Sequence, residues 1–74
     1  MNNNHKQKYK YLGLNVAYYR KLNGYTQEAL AEKLNLDRTT ISKIELATSG
    51  VSLDVVFDIA ELFEIPVEKL FTFR

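Results

Sequence analysis

No cysteine occurs among the 74 residues, which excludes a disulfide framework and a thiolate metal site. Tryptophan is also missing, and the single proline and three glycines leave few breaks in the chain. No apolar run approaches the roughly 20 residues needed to cross a bilayer. The opening stretch, MNNNHKQKYK, is polar and basic and has no apolar segment of the kind a secretory signal requires. No glycine-rich phosphate loop or nucleophile elbow is found, nor any β-hairpin signal, internal repeat or linker to a second domain. His5 is the only histidine and falls in the polar opening stretch with no acid or serine fixed near it, and one ligand makes no metal site. Asp58 and Glu61 fall on a helix surface, where solvated charge is the simple reading; a general-acid pair needs a pocket that so short a chain cannot easily enclose. An unstapled chain without a signal is expected in the cytoplasm, and neither an enzyme nor a cofactor-binding protein is expected.

Nearly half the residues are apolar, 46%, enough for one small helical core. Net charge is only +1, but it is unevenly placed. Residues 1–43 carry eight Lys/Arg against three acids, a net of +5, whereas residues 44–74 carry two against six, a net of −4. Such asymmetry points to one end that faces a polyanion and a far end that does not.

Residues 1–10 lack periodicity and are expected to form a flexible basic tail preceding a domain over 11–74. Lys6, Lys8 and Lys10, with Tyr9 and Tyr11, would suit an arm along a polyanion backbone, or simply a solubilising tail. From Tyr11 onward Leu12, Val16 and Tyr19 repeat at helical spacing, and Asn23-Gly24 stops that helix. Thr26 is a fitting N-cap for a second helix, with Glu28 and Glu32 near its start and Leu30, Ala31 and Leu34 inward. Asp37 caps a third helix with Ile41 and Ile44 inward. Ser52 caps a fourth, with Leu53, Val56, Ile59, Ala60 and Phe63 as its stripe. Pro66 opens a short fifth helix, and Leu70 and Phe71 close the core from that end. A short terminal strand over residues 71–74 fits their weak alternation. The expected class is all-α, five short helices in a compact domain.

The most informative segment is residues 26–45, TQEALAEKLNLDRTTISKIE. Two amphipathic helical patterns stand back to back across Asn35-Leu36-Asp37, too short a joint for a true loop. The helices must therefore cross steeply over a shared core, the helix-turn-helix arrangement. On a wheel of about 100° per residue, Ile41 and Ile44 point one way and Thr39, Ser42 and Lys43 the other, with Arg38 and Thr40 on the flanks. A short helix with such an outer face fits the DNA major groove. Arg38 has the chemistry for a bidentate contact to guanine, Thr39 for a hydrogen bond or a thymine methyl, and Lys43 for a base edge or a phosphate. Thr40 and Ser42 suit phosphates. Gln27 and Thr26 sit at the start of the second helix, where free backbone N–H groups favour a phosphate oxygen, although Thr26 serves first as a cap.

Leu12-Gly13, Val16, Arg20, Gly24, Thr26-Gln27-Glu28, Leu30-Ala31, Leu34, Leu36, Thr40-Ile41-Ser42, Ile44-Glu45, Ser52-Leu53, Ile59-Ala60 and Leu70-Phe71 occur in this order and at these spacings. In this the chain resembles the small helix-turn-helix proteins of the Xre or phage repressor–Cro family across nearly its whole length. The resemblance implies a five-helix lambda-repressor-like domain, a small residue at Ala31 where two helices touch, and a partly buried structural ion pair between Arg20 and Glu45. It departs from the family where Asn35 and Glu64 replace glycines. It departs again after Glu45, where Leu46-Ala47-Thr48-Ser49-Gly50-Val51 replaces a basic segment that helps hold the DNA backbone.

Val55, Phe57 and Leu62 exceed what the stripe of the fourth helix needs, and with Phe73 they suggest an apolar patch for a two-fold dimer; deeper burial within the monomer is the alternative. The resulting expectation is a dimeric repressor acting on a double-stranded DNA operator, with no membrane association and no small-molecule ligand. The rival is an antitoxin or other protein-interaction module whose helix-turn-helix mainly serves partner binding.

Overall fold

The computed structural model describes residues 5–72. These form four α-helices, α1 (Lys6–Leu22), α2 (Gln27–Leu34), α3 (Arg38–Leu46) and α4 (Leu53–Phe63), followed by a single 3₁₀ turn at Val67–Leu70. The fold is all-α, with no strand among the described residues. Four helices, not five, is the first correction. Pro66 does precede the last element, but its carbonyl accepts only from Lys69 N, three residues on. The end of the chain is instead tied to α1 and to itself. Asn15 Nδ2, on α1, donates to Leu70 O at 3.0 Å and to Thr72 O at 2.8 Å, and Thr72 Oγ1 bonds Glu68 O at 2.9 Å. Residues 71–72 are accordingly held against α1 and are not strand, while Phe73 and Arg74 lie outside the described residues.

The second correction concerns the amino end. α1 begins at Lys6, five residues before Tyr11, so residues 6–10 are helix and not tail; residues 1–4 lie outside the described part. Lys and Gln are good helix formers, and Tyr9 continues the stripe of Leu12 and Val16 at helical spacing and packs half-buried against the core. The lysines between these residues concealed the pattern.

The core is built from Leu12 and Val16 of α1, Leu30 and Ala31 of α2, Ile41 and Ile44 of α3, Val56, Ile59, Ala60 and Phe63 of α4, and Leu70. Leu53 and Phe71, expected inward, are exposed instead; Leu53 is the first residue of its helix, before the core closes over it. Phe63 is flanked by Tyr19 and Tyr25, with ring centroids 6.3 and 6.2 Å away, so α4 holds the connection between α1 and α2.

Three helix ends turn through the left-handed region without glycine: Asn35 (φ 61°), Ala47 (φ 57°) and Glu64 (φ 56°). Asparagine tolerates this conformation best, and Leu36 N closes the α2 end on Ala31 O at 2.8 Å. Of the capping residues, Thr26 and Ser52 accept from Ala29 N and Val55 N. Asp37 occupies the N-cap of α3 in an extended conformation but makes no side-chain cap bond. Gly13 has a different purpose: a Cβ there would sit 2.5 Å from Ile44 O and 2.6 Å from Glu45 O. Only glycine lets α1 brace the carboxyl end of α3 so closely.

Candidate nucleic-acid interface

α2, the turn Asn35-Leu36-Asp37 and α3 form the expected helix-turn-helix. Ile41 and Ile44 are 0% and 3% exposed, so the inner face of α3 is spent on the core. Arg38, Thr39 and Lys43 are exposed, and Thr40 and Ser42 are half-buried at the flanks. Thr26 is exposed beside half-buried Gln27 at the start of α2.

Behind this face runs a hydrogen-bonded chain that crosses three helices. Arg20, in the last turn of α1, donates through Nε to Glu45 Oε2 at 2.6 Å, through Nη2 to Glu45 Oε1 at 3.1 Å and through Nη1 to Tyr25 O at 2.9 Å. The pair is well enclosed, with side chains 10% and 7% exposed, and the two-pronged geometry satisfies both partners. Gln27 Nε2 donates to Glu45 Oε1 at 2.9 Å, and Arg38 Nη1 donates to Gln27 Oε1 at 3.2 Å. Glu45 thus orients Gln27, and Gln27 holds Arg38. Sequence reasoning named all four residues but treated Arg20–Glu45 as structural, and Gln27 and Arg38 as separate DNA contacts. The link among them depends on how α2 meets α3, which spacing alone does not reveal.

Of the described residues expected at a dimer surface, Phe57 alone is exposed. Val55 and Leu62 are half-buried and pack against the core, Phe57 is half exposed, and Phe73 lies outside the described residues. The exposed apolar groups of α4 are Leu53 and Phe57, one turn apart, with Phe71 exposed at the carboxyl end. Sequence reasoning also missed Asn15, a buried polar residue that ties the carboxyl end to α1; its only signal was a polar residue on the apolar side of the helix. Asp58 and Glu61 are exposed on α4, as expected of solvated acids. Among the described residues no group of three His, Cys, Asp or Glu could hold a metal ion, and no helix is long and apolar enough to cross a membrane.

Comparisons with known proteins agree with this geometry. A model of the helix-turn-helix family matches residues 16–70. An uncharacterised HTH-type transcriptional regulator of Methanocaldococcus jannaschii is 43% identical over 59 residues, covering 80% of this chain and 89% of that protein. The control protein C.SmaI of Serratia marcescens is 38% identical over 61 residues, covering 82% of this chain and 73% of that protein. Among solved structures, the restriction-modification controller protein C.AhdI from Aeromonas hydrophila superposes with a TM-score of 0.82 at 28% identity, covering 90% of this chain and 97% of that one. With its two crossed helices, its braced α3 and these relatives, the chain belongs to the helix-turn-helix family.

Proposed function

We propose that this protein is a transcriptional regulator that binds double-stranded DNA sequence-specifically, lays α3 in the major groove, and acts as a homodimeric repressor in the cytoplasm without catalysis or cofactor. The observation that carries the reading is the division of α3: Ile41 and Ile44 are sealed in the core while Thr39 and Lys43 on the far side and Arg38 on the flank stand exposed. Arg38 and Thr39 lie at the amino end of the helix, which leads into the base edges in this docking mode, with Lys43 one turn further along the same face. Gln27, Thr26, Thr40 and Ser42 flank them and suit phosphates. Leu53, Phe57 and Phe71 offer apolar area for a two-fold contact, and such a dimer would present its two α3 helices to successive grooves about 34–36 Å apart.

Selection of binding sites from a random duplex pool by the purified protein tests the reading. A palindromic consensus is expected, and Arg38→Ala should relax it at one base pair of each half-site. Recovery of no preferred sequence by the unaltered protein would overturn it.

A further inference from the structure

We infer that Leu46 reads a thymine methyl at the far end of the groove contact, an inference that rests on α3 being the groove-entering helix. Leu46 is the last residue of α3 and is 69% exposed, more than Leu14, Leu22 or Leu53. It follows Thr39 by seven residues and Lys43 by three, so helical periodicity sets it on the same outer stripe, opposite Ile41 and Ile44. Its position is fixed from both sides. Ala47 turns into the left-handed region immediately after it and bonds back to Ile44 O at 3.1 Å. The backbone just before it lies against Gly13, where α1 leaves no room even for a methyl group.

This end of the reading face also lacks charge. The residues after Leu46, Ala47-Thr48-Ser49-Gly50-Val51, include no cation, so the stripe ends in a hydrocarbon where a phosphate contact would need a donor. The thymine C5-methyl is the apolar group that base pairs present in the major groove.

The test uses the full chain and the duplex recovered by site selection, with each thymine replaced in turn by deoxyuridine, which removes only the methyl. Affinity is read by fluorescence anisotropy. One replacement is expected to weaken binding of the unaltered protein about fourfold and to leave binding by Leu46→Ala unchanged. Leu46→Ala should also lose the thymine preference at that pair and no other, while its thermal unfolding stays put because the side chain is mostly solvated. Equal deoxyuridine effects in both proteins, or none in either, would overturn the inference while leaving sequence-specific binding by α3 standing. If no sequence is selected at all, both fall together.

Discussion

Arg20 and Glu45 join the packing of three helices to the outer face of α3 through Gln27 and Arg38. Each is nearly enclosed and satisfied by the other, so removing one leaves a charge stranded in a poorly solvated place. Arg20→Ala should cost about 3–5 kcal/mol in chemical unfolding. The double change Arg20→Met with Glu45→Leu should cost clearly less than Arg20→Ala, since no charge is left alone. Equal losses would mean that the pair contributes by packing only. Gly13→Ala should lower stability by about 1–3 kcal/mol, because the added carbon meets two backbone carbonyls that cannot swing aside. At the opposite extreme, Glu64 holds a left-handed cap without being glycine. Glu64→Gly should raise stability by about 1 kcal/mol, readable as a higher Tm. The Arg20–Glu45 pair was legible through family resemblance, whereas the reason for Gly13 was not: its neighbours are more than thirty positions away in the chain.

At the scale of elements, the helix-turn-helix was the clearest feature of the sequence because it is local. Two apolar stripes, a three-residue joint and an asparagine suited to positive φ are all read within twenty residues. The ends of the molecule were less legible because their form is set by contacts between distant elements. α1 is longer than its apolar stripe suggests, since lysines alternate with the one tyrosine that packs. The last element is a 3₁₀ turn whose end is tied down by Asn15, far away on α1.

The coupling of α2 to α3 changes what a variant should do. Taken alone, Gln27 looks like a phosphate contact whose loss weakens all sites alike. Because it also holds Arg38, Gln27→Ala should both weaken binding generally and loosen selectivity at the base pair assigned to Arg38. Affinity for the selected duplex and for a single-pair mismatch would separate the two effects. A uniform loss at both would show that Arg38 needs no support from Gln27.

Across the whole molecule the charges are sorted: basic along α1, mixed in α2 and α3, acidic along α4. The acids Asp54, Asp58 and Glu61 are exposed on α4, and the cations Arg38 and Lys43 are exposed on α3. Binding should therefore be strongly salt-dependent, weakening roughly a hundredfold between about 50 and 200 mM salt if about four phosphates are neutralised. A flat response would place the affinity in something other than the DNA backbone. The sorting was visible in the sequence as a tally, but not which face each charge occupies, because that depends on how the helices roll against one another.

The central claim, that the outer face of α3 enters the duplex, is met most directly by titrating the isotopically labelled protein with its selected duplex and mapping amide chemical-shift changes. The largest changes are expected along Arg38, Thr39, Ser42 and Lys43 and at the start of α2 around Gln27, with α4 little affected at the same DNA concentration. Changes concentrated on α4 or on the outer side of α1, with α3 silent, would contradict the account.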